Sequence, residues 1–269
     1  MTWILLASTL IFASPVLAQP GSFDHSLLDK GLDRYVDETG RVDYTGLKQN
    51  RADLDACVVS LSRVSPKSHL DRFPTREEQL AYWINTYNAL TLKGVLEAYP
   101  VASVKVIKLL PGFFKRTWYT VGGKDYILND IEHDSIRAEF GDPRIHAAIN
   151  CASIGCPRLE RQAFNSATLE ARLDRAMREF LNEDRNVRID TEEKTVTLSK
   201  ILSWFEDDFT GWLKRQDDGA SPDILDYARR YHPGAQANTA LPSYAVAYFD
   251  YDWSLNDQAQ IHGAVSGTR

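Results

Sequence analysis

The sequence predicts an α+β fold: a mostly helical single domain with short antiparallel hairpins. Long stretches carry apolar residues at helical spacing, whereas the strand signals come as hairpins around tight turns and do not alternate with helices as βαβ units. No internal repeat, low-complexity stretch or long linker divides the chain, so residues 19–269 read as one globular unit behind an apolar N-terminus.

Phe23 to Val36 reads as an amphipathic helix with Leu27, Leu28, Leu32 and Tyr35 facing inward, after a short tether at 19–22. Gly40 ends that unit, and 41–44 is expected to be extended. A second helix covers roughly 51–63, and Pro66 and Pro74 punctuate the next loop. Thr75, with Glu77 and Glu78 behind it, caps a long helix that stops before Pro100. Residues 103–110 are expected to be extended. Residues 118–128 form a hairpin turning on Gly122-Gly123. Asn129 or Asp130 caps the next helix, which ends by Gly141, and the apolar run 143–150 reads as a buried strand. Ser166 caps a helix to about Asn182. A second hairpin pairs 187–189 with 195–198, two or three helices reach Tyr231, and a last strand covers about 244–251.

Residues 1–18 hold no charged side chain, and an apolar stretch from Trp3 to Phe12 leads to Val16 and Ala18, the small-x-small spacing of a signal-peptidase site. The segment is short for a membrane span and is broken by Pro15. The expectation is a cleaved signal, a mature chain of 269 − 18 = 251 residues, no stable membrane span after cleavage, and a periplasmic or secreted location. With 43% hydrophobic and 25% charged residues the composition is that of a globular protein, which excludes disorder and a disulfide-stapled miniprotein. A net charge of −6 without a basic run argues against nucleic acid as a partner.

Cys57, Cys151 and Cys156 are an odd number for an oxidising compartment, so one thiol must stay free unless it pairs between molecules. Cys57 sits on an apolar helical stripe, where it serves as a small core hydrophobe. Glu132, His133, His146, Cys151 and Cys156 gather in a short span. At about 100° per residue, Glu132 falls inside the apolar sector defined by Leu128, Ile136 and Phe140, and His133 lies at its edge. A carboxylate there needs a partner, Arg137 or a backbone N–H, or a function. Asn85 and Asn88 likewise lie on or beside the apolar face of the long helix and need buried partners.

Cys151 follows an apolar run and precedes a turn through Gly155 and Pro157. Backbone N–H groups at such a turn lower a thiol pKa and bind a developing oxyanion. A nucleophilic thiol also needs a base and an orienting group, and His and Glu are at hand. On an extended 143–151, His146 cannot reach Cys151 unless the chain folds back after Ile149; His133 carries no such restriction. Three readings stay open: a Cys151–Cys156 disulfide, catalysis by Cys151, and zinc held with the histidines. The C-x4-C spacing is unusual for structural zinc.

The residues Leu128-Asn129-Asp130-Ile131-Glu132-His133-Asp134-Ser135-Ile136-Arg137 resemble an L-N-x-I-E-H-x-x-I/L-R signature. Residues 142–146 and 150–157 resemble a D-P-R-I-H-F-A-L-N-C-A-S-x-S-C-P block, and 81–89 and 251–256 match two more. Together these blocks, across roughly 44–256, resemble the family named domain of unknown function 547. The resemblance implies a Glu–Cys–His constellation of cysteine-peptidase type, on Glu132, Cys151 and His146 or His133, and with it a relationship to papain-like cysteine-peptidase folds. This sequence has Gly155 where the family pattern has Ser. The second cysteine varies in that pattern, which shifts weight from an essential disulfide toward catalysis. The resulting expectation is an exported cysteine-dependent hydrolase or acyl-transferase acting on an amide or peptide substrate, without metal or cofactor. Asn85 and Asn88 support the site, and Trp83, Trp253 and Trp204 form an aromatic rim. The alternative is a non-catalytic envelope binding module with a structural Cys151–Cys156 disulfide.

Overall fold

The computed structural model describes residues 23–107, 114–217 and 221–259. The expected signal segment, its tether and residues 108–110 therefore lie outside the described residues. Helix α1 (Ser26–Tyr35) buries Leu28, Leu32 and Tyr35. The chain then departs from the extended reading of 41–44: Tyr44 opens a short helix, α2 (Tyr44–Gln49), because the Asp43 carboxylate accepts the Gly46 N–H at 2.8 Å and caps it. Helix α3 (Ala52–Arg63) buries Cys57 between Leu54 and Leu61. The long helix α4 (Arg76–Ala98) starts at the expected cap, with a reciprocal capping box between Thr75 and Glu78, and is buried over most of its circumference. Around it α1, α3 and the 128–140 helix build the first hydrophobic core.

Residues Val104–Ile107 form a helical turn, α5, not the expected extended segment. Strands β1 (Tyr119–Val121) and β2 (Lys124–Tyr126) pair antiparallel across Gly122 and Gly123, whose φ values of +57° and +81° suit a two-residue hairpin loop. The next helix begins at Leu128, earlier than Asn129 or Asp130 as caps would place it. It runs as α6 (Leu128–Asp130), a π-helical segment Ile131–Arg137, and α7 (Ala138–Phe140), closing on Gly141 at φ +58°. Π-helical segments often mark functional positions, and this one carries Glu132 and His133.

The buried strand expected at 143–150 is instead a 3-10 helix, Pro143–Ala147. A short apolar run between turn residues looks the same in a buried strand or helix. Here Asp142, accepting the Arg144 N–H, and Pro143 at the first helical position decide for the helix. This segment joins the two halves of the interior: Ile145, Ala148 and Ile149 pack in the first core, Ala147 in the second. Asn165, not Ser166, supplies the next cap, for a 3-10 turn Ser166–Thr168 that leads into α8 (Leu169–Leu181).

Strands β3 (Val187–Asp190) and β4 (Thr195–Leu198) form the expected second hairpin. Helices α9 (Lys200–Trp204), α10 (Glu206–Gln216), α11 (Ile224–Tyr231) and α12 (Pro233–Ala237) follow. Strand β5 (Ala245–Tyr248) returns to pair parallel with β4, making a three-stranded sheet in the order β3-β4-β5. With α8 and the later helices this sheet encloses the second core. The fold is α+β, mostly helical, with small sheets. Among the described residues no helix is long and apolar enough to cross a membrane.

Candidate functional site

The turn after the 3-10 helix is held from three sides. The Asn88 amide donates to the Ala148 carbonyl at 3.0 Å, and its oxygen accepts the Asn150 N–H at 2.8 Å. The Asn150 side chain donates to the Pro157 carbonyl at 2.7 Å and accepts the Ala152 N–H at 2.8 Å. The C-terminal segment then lies along the loop: Ile154 N–H donates to Ser254 O and Gly155 N–H to Asp252 O, both at 2.8 Å, and Asn256 N–H donates to Ala152 O at 3.0 Å. Those bonds hold Ala152 at φ +64°, a left-handed conformation that costs a non-glycine residue roughly 1–2 kcal/mol. Residues in such conformations cluster at functional sites, and Ala152 directly follows Cys151.

Cys151 and Cys156 are joined as a disulfide, with Cα atoms 6.2 Å apart. The Tyr251 hydroxyl lies 3.1 Å from each sulfur and 2.8 Å from the Ser153 hydroxyl. Gly155 makes this possible. A Cβ at that position would sit 2.8–2.9 Å from atoms of the Tyr251 ring, so the residue that departs from the family pattern leaves the space Tyr251 fills. Cys57 stays apart, free and buried, its thiol pushed up to about 12 by burial.

The disulfide faces a cleft of about 220 Å³. Glu132, His133, His146, Cys151 and Trp253 all line it, together with Trp204, Phe205, Tyr251 and Tyr87. The structure thus brings the sequence-derived acid, both histidines and the thiol position to one place. Trp83 stands elsewhere: it is fully buried against Tyr82 and Tyr126 in the first core. Asn85 does not line the cleft and exchanges two 2.8 Å hydrogen bonds with the backbone of Phe164. Asn88 acts on the Cys151 turn through Asn150, as described. Trp204, Tyr251 and Trp253 form a mutually touching aromatic group, with ring centroids 4.5–5.7 Å apart.

The partner of Glu132 is neither Arg137 nor a backbone N–H but the Tyr87 hydroxyl, which donates to its carboxylate at 3.2 Å. Burial raises the Glu132 pKa above the usual carboxylate range against that hydrogen bond and the Arg137 charge. Arg137 instead makes a two-point contact with Asp208, Nε at 2.7 Å and Nη2 at 2.9 Å, and its other terminal nitrogen faces Nδ1 of His133. A guanidinium only donates, so Nδ1 of His133 is the acceptor and the neutral ring carries its proton on Nε2. Burial and the Arg137 charge both lower its pKa.

Nε2 of His146 lies 2.7 Å from Oδ2 of Asp208. Partial burial works against ionisation of Asp208, but hydrogen bonds from His146 and Arg137 hold its carboxyl well below the ordinary carboxylate range. An ionised carboxylate accepts, so His146 donates from Nε2 and keeps its lone pair on Nδ1. Burial lowers the His146 pKa despite the neighbouring carboxylate. The ring stacks on Phe205 at 4.0 Å, which fixes its plane. An imidazole and a carboxylate are thus paired in the wall of the cleft. Sequence reasoning missed Asp208 and Tyr251. Asp208 sits in the acidic first turn of α10, where its charge has a ready local explanation at a helix N-terminus. Tyr251 lies within a recognised block, yet only the chain's return places it on the sulfurs.

Fold and site together define a mostly helical α+β protein in which a cysteine pair and a histidine, itself paired with an aspartate, line an aromatic cleft. Residues 70–181 match the family described as "Protein of unknown function, DUF547". The matched residues include Glu132, His133, His146, Cys151 and Cys156; Asp208, Tyr251 and Trp253 come from beyond it. No curated protein and no solved structure matches the chain.

Proposed function

We propose that the protein is an exported cysteine-dependent hydrolase or acyl-transferase that acts on amide or peptide-type bonds once the Cys151–Cys156 disulfide has been reduced. The observation that carries the reading is the meeting, in one cleft, of Cys151, a His146 oriented by Asp208, and a buried Glu132. A dithiol reductant supplies the first step: it is oxidised to its own disulfide and leaves Cys151 and Cys156 as thiols. His146 then takes the Cys151 proton, and the sulfur attacks the substrate carbonyl carbon. The amine leaves with the proton from His146, and a thioester remains on Cys151. Water, or an acceptor amine or alcohol, attacks the thioester while His146 takes its proton, and the acyl product departs from the thiolate. Burial raises the Glu132 pKa, and in its neutral form that carboxyl would donate a hydrogen bond to the carbonyl oxygen. His133, with its proton on Nε2, has the same capacity.

The disulfide itself favours a second reading, a non-catalytic envelope binding module in which the Cys151–Cys156 bridge is permanent. Thiol counting separates the two. Iodoacetamide should modify no cysteine in the native oxidised protein, two after mild reduction, and Cys57 only on unfolding. Labelling of Cys151 well ahead of Cys156 after reduction, slowed in His146→Ala, supports the enzyme. A bridge that resists dithiols until the chain unfolds would leave the binding module as the better reading.

A further inference from the structure

We infer that the cleft selects a single uncharged apolar or aromatic group, about the size of one side chain, carried by the substrate next to the bond presented to Cys151. The inference rests on the cleft being the substrate site, and it adds the substrate's character. Three observations carry it. Size comes first: about 220 Å³ falls below the roughly 300–1,000 Å³ of sites that enclose drug-sized ligands. One group enters and the rest of the substrate stays outside.

The walls come second. Phe114, Ile149, Ile201, Trp204, Phe205 and Trp253 are among the lining residues, and the surface they help form is mostly apolar. Trp204 is 46% exposed although it packs against Tyr251 and Trp253. A large aromatic ring left partly open at the edge of a cleft is surface that a flat or branched apolar group would cover.

Charge comes third. The titratable residues of the lining are Tyr87, Glu132, His133, His146 and Tyr251, with the two cysteines in their disulfide. Burial favours the neutral form of each: it raises Glu132 and both tyrosines and lowers both histidines. Behind the lining, Arg137 and Asp208 neutralise each other. The Lys105 ammonium lies over the Trp253 ring at 5.2 Å, where the ring itself engages it. Among the described residues the lining holds no lysine, arginine or aspartate, so a carboxylate or ammonium gives up water on entry, whereas an apolar group leaves water at a gain.

The test is equilibrium binding to the full chain as purified, followed by tryptophan fluorescence or saturation-transfer NMR. The probes are N-acetyl-phenylalanine amide, N-acetyl-glutamate amide and N-acetyl-lysine amide. The phenylalanine probe should bind at least about tenfold more tightly than either charged one. Trp204→Ala should weaken it about fivefold or more while leaving the melting temperature unchanged. Equal binding of the three, tighter binding of a charged probe, or no saturation with the phenylalanine probe overturns the inference. Cys151 labelling after reduction reports on catalysis separately. Selective binding without labelling keeps this inference and removes the nucleophile; labelling without selectivity does the reverse.

Discussion

His146 and Asp208, sixty-two residues apart, meet through a 2.7 Å contact between Nε2 and Oδ2, and the same carboxylate takes two hydrogen bonds from Arg137. One carboxylate thereby sets the tautomer of His146 and, through the Arg137 guanidinium that also faces His133, the tautomer of the second histidine. Asp208→Asn removes the charge that fixes both. The reduced protein should then label at Cys151 about 10²-fold more slowly, the lower end of what a positioned base contributes. Stability should fall by only about 1 kcal/mol, since the Arg137 pair is partly open to solvent. Stopped-flow alkylation alongside thermal melting checks both halves.

Glu132 provides a pH signature. Its folded pKa lies above the ordinary 4.5, so its contribution to stability is complete below that value and is lost as pH rises through the folded value. The slope for one such group is at most about 1.4 kcal/mol per pH unit. Glu132→Gln should flatten this part of the stability–pH curve and melt higher than the parent on the alkaline side. A curve of unchanged shape in urea titrations at several pH values would show that the carboxyl is not held in its neutral form.

His25 acts in the opposite direction. Packed on Phe23 and Tyr82, with a buried Nδ1 that lacks a hydrogen-bond partner, its imidazole is pushed down to about 4 by burial. Its stabilising contribution is therefore full above 6.5 and is lost as pH falls toward about 4. His25→Phe should keep the packing and remove that loss, which melting curves across this window would reveal as a reduced acid sensitivity.

The two buried asparagines of α4 allow a matched pair of experiments. Asn85→Leu and Asn88→Leu each orphan one backbone carbonyl and one N–H, so each should cost roughly 2–4 kcal/mol. Asn88 holds the turn that presents Cys151, and Asn85 holds Phe164 instead. Labelling of reduced Cys151 should change in Asn88→Leu and stay at the parental rate in Asn85→Leu. Equal rates in the two variants would mean that the turn keeps its shape without Asn88.

Gly155→Ser forces the Tyr251 ring to move, since a Cβ there lies under 3 Å from it. Overpacking of this kind costs about 1–3 kcal/mol. Tyr251→Ala in the same chain should recover part of the loss. A double-mutant cycle with coupling above about 0.5 kcal/mol would confirm that the two positions compete for one space.

Much of this protein is written locally. Gly122-Gly123 specify a hairpin because both positions need left-handed φ, Thr75 and Glu78 specify where α4 begins, and the helical stripe around Cys57 assigns that thiol to the core. The co-occurrence of Glu132, His133, His146 and Cys151 within twenty residues also marks the site, because unpaired polar groups among apolar ones demand an explanation. Tertiary structure decided the rest. The 143–150 segment is ambiguous in pattern, and its 3-10 turn, capped by Asp142, is what places His146 and Cys151 on one cleft. Trp83 has the same character in sequence as Trp253, yet one closes the core and the other lines the cleft, because side-chain environment depends on what packs opposite. Asp208 and Tyr251 reach the site only through the return of α10 and the C-terminal segment. Local sequence sets backbone propensity and polarity over a few residues; contacts across 62 and 100 residues depend on how the two cores close on each other, and no local pattern encodes that.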